Sequence, residues 1–120
     1  NNVATGYQAL NKNTIGNNNV ASGKTALYSN TTGEYNVASG ATSLYYNTTG
    51  LGNTSCGQSA GIYNTTGSNN TFIGYNANIN STSATWSNST ALGYTAQITK
   101  SDQIVWVKVR LRLTYIFLVT

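Results

Sequence analysis

The chain alternates short runs of small or β-branched residues with clusters of Asn, Thr and Gly. The clearest run is Val-Ala-Ser, which lies between Asn and Gly at residues 19–23 and again at 36–40. Side chains alternate between the two faces of a strand, so this run fits a very short strand that ends at a turn glycine. The pattern predicts many short strands and opposes helix, because Asn, Thr and Gly are poor helix formers.

The same pattern returns every seventeen residues. Three columns of residues keep this spacing: Gly6, Gly23, Gly40, Gly57 and Gly74; Asn2, Asn19, Asn36, Asn53 and Asn70; Gly16, Gly33, Gly50 and Gly67. A fixed period of this length indicates stacked structural repeats. Each repeat holds two extended pieces, as at residues 19–23 and 25–32, and a glycine closes each piece where a positive φ is needed. Equivalent residues of successive coils would then stack about 4.8 Å apart.

These features predict an all-β chain, a parallel β-solenoid (β-roll or β-helix) of about five 17-residue coils with a C-terminal strand. We expect solenoid repeats over residues 1–79, an inserted loop over 80–88, a last coil or neck over 89–105 and an amphipathic strand over 106–120. Because the first residues already lie inside a repeat, we expect the chain to be a fragment or a processed form.

Alternation within each strand predicts which side chains face inward. We expect the Val/Thr column, the column just before the glycine and the Leu column to form the core, and the Ala column to face the other way, where small residues permit close approach between subunits. Cys56 would then be a small core residue in place of Ser22 or Ser39. The predicted core residues are Val3, Val20, Val37, Thr54, Thr71, Leu10, Leu27, Leu44, Ile73 and Leu92.

The turns and the loop supply further candidates. Asn30, Asn47 and Asn64 are expected to form side-chain ladders between coils, so their Asn-x-Thr sequons are interpreted as structural. Trp86 in the loop is either a lid on the solenoid end or a contact residue. Tyr45 and Tyr46 join it as candidate surface contacts, since aromatic rings beside Asn and Thr can bind a glycan by stacking and hydrogen bonding.

The last fifteen residues differ from the repeats. Apolar residues alternate with Lys108, Arg110 and Arg112, which favours a strand, although a reading-frame slip or an unrelated terminus would also explain the change. The uncharged run after Arg112 is far shorter than the roughly 20 residues of a membrane-spanning helix, so no membrane insertion is expected.

Composition excludes several classes of function. The chain has 120 residues, no His, one Cys and a formal net charge of +4, and three of its six cations lie in the last segment. Nucleic-acid binding is not expected, because the repeats lack clustered cations. With two carboxylates far apart in sequence and one lone thiol, we expect no enzyme, no catalytic residue, no metal site and no cofactor. The core of one chain looks thin, which argues for oligomerisation.

The motif that opens as NNVATGYQAL and ends in NTTG resembles repeats of phage tail-fibre proteins, and it is similar also to the head repeats of trimeric autotransporter adhesins. Residues 89–105 resemble the segment that precedes a C-terminal intramolecular chaperone in many fibres, whereas the following WVKVRLRL departs from that pattern. The resemblance implies a homotrimer of left-handed coils, with a structural or adhesive role in a virion tail fibre or at a cell surface.

Three functions therefore stand as hypotheses. The leading one is a structural segment of a phage tail fibre, a trimeric shaft or head for host attachment whose partners are copies of itself and a surface glycan or receptor. The second is a bacterial surface adhesin head. The third is an ice-binding solenoid, in which the turn Thr residues form a flat ladder.

Overall fold

The structure is a computed structural model of the chain, and it describes residues 1–81 and 85–107. The described residues contain β-strands and turns and no helix. Nine strands occur among them: β1 Val3–Thr5, β2 Val20–Ser22, β3 Val37–Ser39, β4 Thr54–Cys56, β5 Thr71–Ile73, β6 Asn78–Ile79, β7 Thr90–Leu92, β8 Gln97–Ile98 and β9 Ile104–Trp106.

The strands form parallel sheets that coil around one core. A seven-stranded sheet has the order β1-β2-β3-β4-β5-β7-β9, and a two-stranded sheet pairs β6 with β8. Every pairing is parallel and in register, with Val20 opposite Val37 in the first sheet. The chain is therefore a parallel β-solenoid of about six turns, which confirms the predicted fold class and period.

The coil length changes towards the C-terminus. The first four steps are seventeen residues long, but Thr71 pairs with Thr90, nineteen residues on, and Thr90 pairs with Ile104, fourteen residues on. The extra residues fall within the predicted inserted loop, and Ser87 returns to register by accepting a hydrogen bond from the Ser68 N–H at 2.9 Å. The solenoid thus absorbs the insertion without losing its stack. The predicted C-terminal strand beyond β9 lies outside the described residues.

The second segment of each repeat, which was predicted to be extended, forms a turn in the first four coils. Leu10, Leu27 and Leu44 have positive φ values of 52, 50 and 50°, and the next residue of this column, Gly61, has 63°. A bulky side chain rarely adopts this left-handed region, so it persists only where the surroundings hold it. Neighbouring coils do so, since the N–H of Leu27 donates to the carbonyl of Ser43 at 3.0 Å. The turn aims the leucine side chain into the solenoid.

The core reverses the predicted orientation of the strands. Ala21 and Ala38 are fully buried, whereas Val20 and Val37 remain 38% and 39% exposed. Leucines of the opposite segment, buried at Leu27 and Leu44, fill the narrow interior, so only a small residue fits across from them. The predicted inward Val/Thr column, and the residues just before the glycine, instead point outward and are exposed or half-buried: Val3, Val20, Val37, Thr54, Thr71, Cys56, Ile73 and Leu92. The prediction was correct for Leu10, Leu27 and Leu44.

Where a glycine interrupts the leucine column, a larger residue in the strand column fills the space in the core. Gly61 takes the place of leucine in the fourth coil, and Phe72 replaces alanine in the strand of the fifth. A Cβ at Gly61 would lie 2.7 Å from the ring of Phe72 and 2.8 Å from a methyl of Leu44. Phe72 is fully buried, so its ring fills the space that the missing leucine leaves.

The two glycine columns require glycine for different structural reasons. Gly23 has φ +139°, and a Cβ there would lie 2.6 Å from the carbonyl carbon and oxygen of Gly40. The second column lacks a positive φ, which corrects the expectation that both columns need one. At Gly50 a Cβ would collide instead with the carbonyl oxygen of Gly67 and with the side chain of Asn47. Close approach between coils requires glycine in this second column.

Candidate functional site

Two ladders of asparagine side chains run along the solenoid. In the first, the amide of Asn47 donates to Oδ1 of Asn30 at 3.0 Å, and that of Asn64 donates to Oδ1 of Asn47 at 3.0 Å. Asn30, Asn47 and Asn64 are all fully buried. The predicted turn ladder is confirmed, and the folded solenoid uses these sequon amides in hydrogen bonds between coils.

The second ladder connects each coil to the next through the backbone. Oδ1 of Asn36 accepts from the N–H of Asn53 at 2.9 Å, while its amide donates to the carbonyl of Gly50 at 2.8 Å. The same pattern recurs at Asn19, Asn53 and Asn70. Among the described residues, every buried side-chain N or O has a hydrogen-bond partner. These columns are therefore explained as structure and leave no buried polar group for a ligand.

Trp86 closes the second ladder at the insertion. Its carbonyl oxygen accepts from the amide of Asn70 at 2.7 Å, in the place that a glycine carbonyl holds in earlier coils. The indole is partly buried and packs against the core. Trp86 therefore has a structural role in an inner coil, and it is not the lid on the solenoid end that was expected, because the next coil follows it, with the Ser87 N–H donating to Oγ of Ser101 at 3.0 Å.

The tyrosines divide into two groups. Tyr28 and Tyr45 stack at 5.0 Å between ring centroids, with an angle of 6°, and Nζ of Lys12 lies 5.1 Å from the centre of the Tyr28 ring. The Tyr28 and Tyr45 rings therefore already stack on each other along the solenoid axis. Tyr46 is 46% exposed and meets Tyr45 edge-on, and Tyr63 is 39% exposed one coil further on. Of the predicted surface contacts, Tyr46 presents the most exposed ring.

Reactive side chains are dispersed. Cys56 is exposed on the outside of β4, which corrects its prediction as a core residue. Oδ1 of Asp102 accepts from the amide of Asn88 at 3.1 Å. No three His, Cys, Asp or Glu side chains of residues 1–81 and 85–107 form a group that could hold a metal ion. A cavity of about 260 Å³ lies at the C-terminal end between β8 and β9, lined by Thr95, Ala96, Gln97, Thr99, Val105 and Trp106.

The outward side of the seven-stranded sheet is a continuous uncharged surface, which we name the outer sheet face. Its members are the first and third residues of each strand: Val3, Thr5, Val20, Ser22, Val37, Ser39, Thr54, Cys56, Thr71, Ile73, Thr90, Leu92, Ile104 and Trp106. At the C-terminal end Ile104 and Trp106 are 69% and 68% exposed. All charged residues that the structure describes lie elsewhere on the coils: Lys12, Lys24, Glu34, Lys100 and Asp102.

Sequence reasoning found the residues of the outer sheet face but placed them inside. The one available signal was the leucine column, since a narrow coil has no room for valine opposite leucine.

The described part of the chain contains no helix long and apolar enough to cross a membrane. Comparisons with protein-family models, with curated proteins and with solved structures found no match.

Proposed function

We propose that the chain is a structural segment of a fibre of the phage tail-fibre type, in which three copies associate through the outer sheet face. The observation that carries this proposal is the composition of that face. It combines exposed valine, isoleucine and tryptophan with small hydroxyl residues, and it holds no charge. Exposed apolar surface that continues over many strands is typical of an interaction site.

Burial of this face stabilises an assembly by the hydrophobic effect. A fully buried valine side chain contributes about 1.5–3 kcal/mol, so covering the exposed 38% and 39% of Val20 and Val37 contributes roughly 0.5–1 kcal/mol each. Other coils add apolar side chains of their own to this face at Val3, Ile73, Leu92, Ile104 and Trp106. The thin interior of one chain, built largely from alanine, makes such an external contribution useful.

The proposal also accounts for the geometry of the repeat. A fibre needs a module that extends by addition of equal coils, and hydrogen bonds between coils are satisfied along the stack, as at Asn36 and Asn53. Attachment to a host through a surface glycan or receptor is part of the same proposal. The fibre would act in a virion tail or outside the cell.

Molecular mass in solution tests the assembly. We expect light scattering to give three times the 12.7 kDa of the chain. The double variant Val20→Glu/Val37→Glu places charge on the outer sheet face and should dissociate the assembly. The matched control Thr32→Glu/Thr49→Glu introduces the same charge in the same coils at exposed positions off that face, and it should keep the wild-type mass. A monomeric wild type would refute the proposal.

Cys56 offers a second test that needs no destabilising variant. It is the chain's one cysteine, and it lies on the outer sheet face. Mild oxidation at low protein concentration should give covalent dimers within the assembly, and Cys56→Ser should abolish them. Absence of cross-linking in a particle of threefold mass would show that the Cys56 side chains do not meet, which contradicts an arrangement in which the three outer sheet faces converge at β4.

A bacterial surface adhesin head makes the same prediction of mass. The neighbouring genes distinguish the two functions, since tail-assembly genes support the fibre, whereas an export signal and a membrane anchor support the adhesin.

A further inference from the structure

Outside the outer sheet face the solenoid carries a second surface, which we name the tyrosine strip. It consists of Tyr46 and Tyr63, at the same position of successive coils, and of Thr49 and Thr66, which follow them three residues later. All four are exposed. The rows are aligned by backbone hydrogen bonds, since the N–H of Tyr46 donates to the carbonyl of Ile62 at 3.3 Å.

The Tyr46 ring and the Tyr63 backbone are each held by a neighbouring side chain. Tyr45 meets Tyr46 edge-on at 4.7 Å and 80°, and Tyr45 itself stacks on Tyr28. The N–H of Tyr63 donates to Oδ1 of Asn78 at 3.1 Å. Neither exposed ring stacks on another ring among the described residues, unlike Tyr28 and Tyr45, and the two residues stay 46% and 39% exposed. Support of this kind lowers the cost of ordering the rings when a ligand binds.

In the adjoining turns, one threonine hydroxyl bonds to the next coil and the following threonine is exposed to solvent. The hydroxyl of Thr48 donates to the carbonyl of Thr65 at 3.1 Å, which ties these coils together. Thr49 and Thr66 point outward from the same turns and are exposed. The strip therefore places aromatic rings and hydroxyl groups side by side, with a repeat of about 4.8 Å along the solenoid.

The absence of charged side chains limits the kind of ligand that the tyrosine strip can recognise. Residues 35–99, which include the whole strip, contain no Lys, Arg, Asp or Glu. Aromatic rings stack on the C–H faces of sugar rings, and hydroxyl groups exchange hydrogen bonds with sugar hydroxyls, without any need for charge. We propose that the tyrosine strip binds a neutral, linear polysaccharide that lies along the solenoid axis. This inference rests on the proposed fibre, in which the strip faces outward, and it specifies the surface glycan of that fibre as a neutral polymer.

Affinity electrophoresis in native gels tests the inference with hydroxyethyl cellulose, dextran, laminarin and galactomannan as neutral probes and alginate as an anionic probe. We expect at least one neutral polymer to retard the protein. Tyr46→Ala/Tyr63→Ala should weaken that binding about fivefold or more, since each ring contributes roughly 0.5–1.5 kcal/mol, and about 1.4 kcal/mol is a factor of ten.

The matched control is Tyr7→Ala/Tyr35→Ala, which removes two tyrosines that are 68% and 62% exposed and lie outside the strip. It should change affinity less than twofold. Retardation by none of the neutral probes, retardation by alginate alone, or equal losses in the two double variants would each overturn the inference. Light scattering on the same samples separates the two proposals, because a trimer that binds no neutral glycan rejects the strip alone, and a monomer that binds one rejects the fibre alone.

Discussion

Asn36 provides a sharp test of the asparagine ladder. Its side chain is fully buried and makes three hydrogen bonds, accepting from the Asn53 N–H at 2.9 Å and donating to the Gly50 carbonyl at 2.8 Å and to Oδ1 of Asn19 at 3.2 Å. The substitution Asn36→Ala removes all three bonds. We expect it to destabilise the solenoid strongly, because one buried donor loses its partner.

The magnitude follows from which groups are left unpaired. Gly50 still accepts from the amide of Asn47, and Oδ1 of Asn19 still accepts from the N–H of residue 36. The Asn53 N–H, however, has no second acceptor, and an unpaired buried donor costs about 1–3 kcal/mol. With about 1 kcal/mol for each of the other two lost bonds, Asn36→Ala should lower the free energy of unfolding by about 3–5 kcal/mol per chain.

The chain itself supplies a rescuing substitution. Ser89 occupies the asparagine column in the β7 coil, and its hydroxyl accepts from the Gln103 N–H of the next coil at 3.1 Å. Asn36→Ser should therefore restore the acceptor for Asn53 and recover about half of the loss. Asn17→Ala removes an exposed asparagine one coil earlier and should change stability by no more than about 0.5 kcal/mol.

Equilibrium urea unfolding measures these differences at one fixed chain concentration, because the stability of an assembly depends on concentration. The order expected for the free energy of unfolding is wild type and Asn17→Ala highest, Asn36→Ser between, and Asn36→Ala lowest. If Asn36→Ala were as stable as Asn17→Ala, the buried asparagine side chains would contribute nothing to the stacking of the coils, and the reasoning from unpaired donors would be wrong.

Three further predictions concern the core, a glycine column and ice. Phe72→Ala should lower the free energy of unfolding by about 3–5 kcal/mol in urea. Gly61→Leu should destabilise the wild type but recover part of the loss when combined with Phe72→Ala, since the Phe72 ring occupies the space that leucine would need. If the effects of the two substitutions were simply additive, this reasoning would be wrong. Gly23→Ala should also destabilise by more than about 1 kcal/mol, because its Cβ would meet the Gly40 carbonyl at 2.6 Å, and an unchanged unfolding midpoint would refute the close approach. We expect no thermal hysteresis in an ice-growth assay, because the hydroxyls of the turn residues Thr31 and Thr48 already donate to carbonyls of the next coil; clear hysteresis would favour the ice-binding hypothesis.

Much of the fold was predictable because the repeat is local. Identical residues seventeen positions apart experience the same neighbours only if they stack, and the ladder of Asn30, Asn47 and Asn64 follows directly from that. The orientation of the strands was not predictable from alternation, because alternation defines two faces without saying which one is inside. The interior was decided by Leu27 and Leu44, which a left-handed turn directs across the coil.

The sequence by itself determined the period, the parallel in-register pairing and the polar ladders, since each depends on like residues lying next to like. Only the tertiary structure decided that alanine lies inside and valine outside, that Phe72 fills the space beside Gly61, and that Tyr28 and Tyr45 use their ring faces for stacking while Tyr46 does not. These features depend on the width of the closed coil, and that width results from side chains that are distant in sequence and meet only after the chain has turned.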